Sequence, residues 1–155
     1  MENMNILIAG GGTGGHLFPA LAIGEEILSR SSNIKIHYVG SAFGLESKVF
    51  PIKDVWHTLL PIRGIQRDLS LKSFFRNALL PFRILRSFHK TNNLINDFSP
   101  DIIIGTGGYA SALPLLVAST FKKNIPIILQ EQNSFPGITT KWFAKRATKV
   151  CVAFK

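Results

Sequence analysis

The sequence predicts an α/β domain built on a doubly wound parallel sheet, and three observations carry that expectation. Short, solidly apolar runs alternate along the chain with segments whose apolar residues recur at helical spacing. The runs in NILIA and DIII do not alternate with polar residues, as a strand buried on both faces requires, whereas IKIHYV alternates like a strand. Several of them stop at glycine, where a strand must turn into a helix.

Asn5 to Ala9 (NILIA) reads as the first buried strand. Phe18 to Ser29 has helical spacing, with Pro19 near its first turn, where proline is tolerated. Ile34 to Val39 is a second strand ending at Gly40, Gly44 to Phe50 a short helix, and Trp56 to Ile62 a third strand. Leu69 to Asn96 reads as a helix broken or kinked at Pro81. Asp101 to Ile104 is a strand ending at GTGGYAS, and Ala110 to Phe121 a helix with Pro114 in its early part. Pro126 to Leu129, Ile138 to Arg146 and Lys149 to Ala153 read as strand, helix and strand.

Composition narrows the class. The 155 residues suit one ordinary domain with a real core; 46% are hydrophobic and 17% charged, which excludes a disordered chain. No apolar run reaches the roughly 18 residues of a membrane span. MENMNILIAG has no basic stretch before its apolar residues, so no signal peptide is expected. The lone Cys151 forms no internal disulfide, which fits a reducing compartment. The net charge of +9 is uneven: Arg63, Arg67, Lys72, Arg76, Arg83, Arg86 and Lys90 face only Asp68 in that stretch. Such a surface attracts phosphate, on nucleic acid, nucleotide or anionic lipid. No recognised nucleic-acid module accompanies it, so nucleic acid is not an expected partner.

Two glycine-rich stretches stand out. GGTGGH at 11–16 and GTGGY at 105–109 are near copies, each after a buried strand and before a helix. Ligands of such sheets sit beyond the carboxyl ends of the strands, so both loops are expected on one edge. Backbone N–H groups and a helix dipole converge at such a turn, which suits a diphosphate; the plainer reading is a tight turn. Gly10, Gly12 and Gly15 fit G-x-G-x-x-G, but IKIHYVGSAFG carries no acid until Glu46, and no Lys-Ser/Thr follows as a Walker loop needs. A nicotinamide-dependent oxidoreductase is therefore disfavoured. His16, at the loop–helix junction, is a candidate general base or a packed histidine. His37, His57 and His89 read as ordinary residues, and no cluster has metal-ligand spacing. Glu131, Gln132 and Asn133 follow a strand toward the same edge; they suit a sugar or nucleotide, or a helix cap. Residues 69–90 mix Phe74, Phe75, Leu79, Leu80, Phe82, Ile84, Leu85 and Phe88 with basic residues. That reads either as an interfacial membrane surface or as a core helix with a basic outer face.

GGGTGGHLFPALAI, DIIIGTGGYAS and ILQEQNSFPGITTKWFAKRATKV, in this order and spacing, carry a resemblance over nearly the whole chain. The chain resembles the N-terminal half of the MurG family of bacterial glycosyltransferases. The resemblance implies a GT-B enzyme of two Rossmann-like domains. It would transfer N-acetylglucosamine from UDP-GlcNAc to the lipid-linked muramoyl-pentapeptide, lipid I, with inversion, giving lipid II for peptidoglycan. It further implies that residues 1–155 form the acceptor-binding, membrane-associating domain and that a C-terminal donor domain lies outside this chain. The implied location is the cytoplasmic face of the inner membrane, on an anionic surface. Donor contacts are implied for Thr13, Gly14, Gly15 and Asn133, and acceptor-diphosphate contacts for Gly12, Gly107, Gly108, Tyr109 and Ser111. His16 is implied as the base and Glu131 in a supporting role, while Gln130 stands where many relatives carry histidine. Lys72, Phe75, Arg76, Leu79, Phe82, Arg83 and Arg86 are implied as the membrane surface. No cofactor or metal is implied. A different class fits the same motifs: a non-catalytic, membrane-docking acceptor subunit of a split lipid-linked-sugar glycosyltransferase.

Overall fold

The computed structural model describes residues 3–64 and 78–154. The strands are β1 (Met4–Gly10), β2 (Ile34–Ser41), β3 (His57–Leu60), β4 (Ile102–Gly107), β5 (Ile127–Glu131) and β6 (Lys149–Val152). The helices are α1 (Gly14–Arg30), α2 (Glu46–Ile52), α3 (Leu80–Phe98), α4 (Tyr109–Phe121) and α5 (Ile138–Phe143), the last running into a 3-10 turn at Ala144–Arg146. All described strand pairs are parallel, in the order β3-β2-β1-β4-β5-β6. The order reverses between β1 and β4, and ligands of open parallel sheets bind at that switch point.

Both faces of the sheet are covered, as its solidly apolar strands require. Ile6, Ile8 and Ile104 pack with Leu17, Leu21 and Phe50 of α1 and α2. Leu7 and Ile103, one step along each strand, pack on the other face with Ile95 and Phe98 of α3, Leu113 and Val117 of α4, and Phe143 of α5. The period-two alternation of strand side chains divides one apolar run between two cores.

Two elements depart from the sequence reading for local reasons. α1 begins at Gly14, inside the glycine stretch, so Pro19 lies in its second turn and cannot donate to the Gly15 carbonyl. Pro81 falls in the first turn of α3, where its missing N–H costs nothing, and so it starts this helix rather than kinking a longer one. The part of that expected helix within 65–77 lies outside the described residues. α3 buries Ser87, Thr91, Ile95 and Phe98 along one stripe. Leu79, Phe82, Leu85 and Arg86 are exposed on the remainder.

One irregularity positions the site. Ala9 pairs with Gly105 but Gly10 pairs with Gly107, so Thr106 is an extra residue in β4. A bulge of this kind re-aims the groups at a strand end.

Candidate functional site

The two glycine loops meet at the β1/β4 switch point, and His16 stands between them. Thr106, on the bulge, holds it from both sides. Its hydroxyl donates to the His16 carbonyl at 2.8 Å, and its carbonyl lies 3.0 Å from His16 Nδ1. Thr106 is fully buried, so this pairing is fixed by the core.

The glycines fit one loop against the other. A side chain at Gly108 (φ +78°) would run into the Gly11 carbonyl, and one at Gly107 (φ +98°) into the His16 ring, 2.7 Å from Nδ1. At Gly12 it would meet the Tyr109 ring, and at Gly11 the carboxylate of Glu46. Gly15 is different: the nearest atom to a Cβ there is Thr13 Oγ1 at 3.9 Å. Protein packing thus accounts for most of the bare backbone, and Gly15 is left facing open space.

Glu46 belongs to no sequence motif, yet it shapes the first loop. It is fully buried at the start of α2, yet it reaches back to the first loop. Gly12 N–H donates to Oε1 and Oε2 at 3.0 Å each, and Ser41 N–H donates to Oε1 at 2.7 Å. This corrects the expectation for Gly12: a carboxylate of the protein already occupies the place where its N–H would receive a phosphate. Ser111 is corrected for a second reason. It is fully buried, and its hydroxyl donates to the Gly108 carbonyl at 2.9 Å, so it shapes the start of α4 from within. Tyr109 turns its ring onto the first loop and its hydroxyl toward Ser41 Oγ at 3.4 Å. Its backbone N–H remains at the positive end of α4, beside Gly107 and Gly108.

These groups border a cavity of about 440 Å³ with His16, Gly107, Gly108 and Tyr109 at one end. Arg63 supplies a cation in its wall, and its guanidinium also stacks on Phe43 at 4.3 Å. Leu80 and Ile84 of α3 face Ile138 and Trp142 of α5 along the apolar remainder. Asn133 lies outside this cavity, in a neighbouring recess of about 280 Å³ that shares Glu131 and Thr140 with it. Thr13, Gly14 and Gly15 form the tip of the first loop. The Thr13 carbonyl accepts from His16 N–H and Leu17 N–H, and its hydroxyl makes no capping bond.

Glu131 organises the loop after β5. It is almost completely buried and accepts from Asn133 N–H at 3.1 Å, Asn133 Nδ2 at 2.9 Å, Gly137 N–H at 2.9 Å and Thr140 Oγ1 at 2.7 Å. Burial pushes its pKa up, but the bonds from Gly137, Thr140 and Asn133 outweigh that and hold it below the ordinary glutamate value. It is an ionised anchor for Asn133. His37, read as ordinary, is buried in β2; its Nε2 lies 2.8 Å from Thr58 Oγ1, and burial, with His57 nearby, brings its pKa down to about 4. Among the described residues no group of three or more His, Cys, Asp or Glu is placed to hold a metal. No described helix is long and apolar enough to cross a membrane. Lys72, Phe75 and Arg76 lie outside the described residues.

A parallel sheet with glycine loops and a histidine at its switch point, but no acid at the end of β2 for a ribose, is a Rossmann-like domain without the ribose-binding acid of a dinucleotide site. The chain belongs to glycosyltransferase family 28, matching the family's N-terminal domain over residues 6–152. It is 43% identical over 155 residues to a protein of Flavobacterium psychrophilum named UDP-N-acetylglucosamine--N-acetylmuramyl-(pentapeptide) pyrophosphoryl-undecaprenol N-acetylglucosamine transferase. That match takes in 100% of this chain and 41% of the relative. A protein of the same name from Christiangramia forsetii is 40% identical, over 99% of this chain and 40% of its own length. Among solved structures, Acinetobacter baumannii MurG superposes with a TM-score of 0.79 at 25% identity, covering 98% of this chain and 42% of that one. The Streptomyces glycosyltransferase SsfS6 shares the fold alone, at a TM-score of 0.53 and 16% identity. The chain therefore spans about two-fifths of the length of these relatives.

Proposed function

We propose that this chain is the acceptor-binding half of an enzyme that transfers N-acetylglucosamine from UDP-GlcNAc to undecaprenyl-diphospho-muramoyl-pentapeptide. The donor half corresponds to the part of the relatives that this chain does not cover. One observation carries the reading: His16 is held through Nδ1 by the Thr106 carbonyl at 3.0 Å, in the wall of a cavity that also meets the start of α4. An Nδ1–H bonded to a carbonyl leaves Nε2 with a free lone pair, the form a general base requires.

In this reading the acceptor diphosphate lies against Gly107, Gly108 and the N–H of Tyr109, at the positive end of α4 and near Arg63. The C4 hydroxyl of the acceptor gives its proton to His16 Nε2 as its oxygen attacks the sugar anomeric carbon. The bond to UDP breaks on the opposite face, and the configuration inverts. Thr13, Gly14, Gly15 and Asn133 face the donor half, with Glu131 fixing Asn133. The exposed apolar residues of α3, with Arg83 and Arg86, rest on the anionic, cytoplasmic surface of the membrane, where the polyprenyl acceptor is held. The names of the relatives support the substrates.

The test is His16→Ala in the full-length protein. A working base contributes roughly 10²–10⁴-fold, so turnover should fall by that factor with the fold intact. Near-normal turnover would overturn the assignment.

A further inference from the structure

The side-chain amide of Gln132 approaches His16 Nδ1 at 2.8 Å, and the Thr106 carbonyl approaches the same nitrogen at 3.0 Å. These two contacts constrain each other. A carbonyl oxygen only accepts, so the Thr106 contact is favourable only when Nδ1 carries a proton. A protonated Nδ1 cannot accept, so the Gln132 atom facing it must be the amide oxygen, not the nitrogen. A half-turn of the terminal torsion exchanges the two atoms with almost no change of shape. A separate observation favours the same half-turn. With the nitrogen toward His16, Gln132 Oε1 is buried and has no hydrogen-bond partner. With the oxygen toward His16, it accepts from Nδ1–H, and that buried acceptor gains the partner it lacks.

We propose that Gln132 is a positioning residue whose amide oxygen shares the Nδ1 proton of His16 with the Thr106 carbonyl, so that neutral His16 keeps Nε2 unprotonated. Thr106 acts from the β4 bulge and Gln132 from the loop after β5, so the ring is gripped by two elements that meet only in the folded sheet. Gln132 sits between Glu131 and Asn133, and the Glu131 carboxylate that anchors Asn133 also fixes this loop. The catalytic consequence rests on the reading of His16 as the base; the tautomer can be measured without it.

The experiment is nitrogen NMR of the imidazoles in the 155-residue chain, at a pH where histidine is neutral, with His16 assigned by loss of its signals in His16→Asn. The wild-type chain is expected to carry the neutral proton on Nδ1. Gln132→Leu should shift the population toward Nε2–H, and Gln132→Glu, which retains an acceptor oxygen, should restore Nδ1–H. A wild-type ring protonated on Nε2 overturns the proposal, and that measurement needs no variant to fold. Gln132→Leu with an unchanged tautomer overturns it too; the signals of His37, His57 and His89 report whether the fold is intact. In the full-length protein, Gln132→Leu should lower kcat about fivefold at little-changed KM, if the competent tautomer falls to about one fifth. Should the tautomer behave as stated while His16→Ala retains turnover, the base assignment fails and the positioning contact stands.

Discussion

Replacing Glu46 by alanine tests the claim that a buried carboxylate, and not a ligand, holds the first glycine loop. The side chain is fully buried and accepts from Gly12 N–H at 3.0 Å and Ser41 N–H at 2.7 Å. Hydrogen bonds to a charged acceptor contribute about 1.5–3 kcal/mol each, so losing both costs about 3–6 kcal/mol. The space vacated lies against Gly11, Gly40 and Gly44, which have no side chains to fill it. A domain is stable by about 5–15 kcal/mol in all, so Glu46→Ala should be close to unfolding. Glu46→Gln keeps the stem and one acceptor oxygen and should cost only about 1–2 kcal/mol. Urea unfolding of the 155-residue chain reads the difference. With a slope of about 1–3 kcal/mol/M, a 3 kcal/mol loss moves the midpoint by about 1–3 M. An alanine variant within about 1 kcal/mol of wild type would refute the reasoning, because the loop would then be holding its own shape.

Protonation of His37 sets an acid limit. Its pKa is about 4 in the fold against 6.5 unfolded, so below pH 6.5 the unfolded chain takes up a proton that the folded chain refuses. Stability should fall by up to about 3 kcal/mol as pH drops from 6.5 to 4, and His37→Gln should flatten that window; a wild-type profile already flat there would contradict the burial argument. Gly108→Ala, at φ +78° and against the Gly11 carbonyl, should destabilise by about 2 kcal/mol or more. Gly15→Ala, with open space around the added methyl, should leave stability unchanged or raise it by up to about 1 kcal/mol. In the full-length protein Gly15→Ala should nevertheless raise KM for UDP-GlcNAc, and unaltered kinetics would remove the donor from that spot. Phe82 and Leu85 are 66% and 56% exposed, and changing both to serine should weaken binding to anionic phosphatidylglycerol vesicles at least tenfold in a sedimentation assay. Equal binding would move the membrane surface off α3.

The sheet was legible because burial on both faces leaves a plain trace. After their first residues, NILIA and DIII are apolar without interruption, and each stops at glycine. The loops misled because glycine has two uses with one signature. A bare backbone admits a phosphate or admits another loop, and Gly12, against the Tyr109 ring, serves the second use. The start of α1 was misplaced for the same reason, since Gly14 and Gly15 read as loop until the turn that follows them is seen. Glu46 lies 34 residues from Gly12, and no periodicity links them. The Thr106 bulge is a property of register between β1 and β4, which neither strand carries alone. For Ser111 the resemblance implies a diphosphate contact, but a hydroxyl in the first turn of a helix can close on the carbonyl three residues before it. The partners of His16, Thr106 and Gln132, come from two distant stretches that no local pattern links to it.

The pairing of β1 with β4 also dictates when the site comes into being. Ile6 lies beside Ile102, and everything from α1 to α3 must be threaded between those two strands before they meet. Closing so long a loop is entropically costly and must precede any gain from the contacts it makes, which slows the folding of parallel sheets. The β1–β2 half can assemble from nearer neighbours and would contain His16, but with neither Thr106 nor Gln132 in reach. The ring therefore acquires its orientation only when the two halves of the sheet join, and recovery of its tautomer after dilution from denaturant would time that joining.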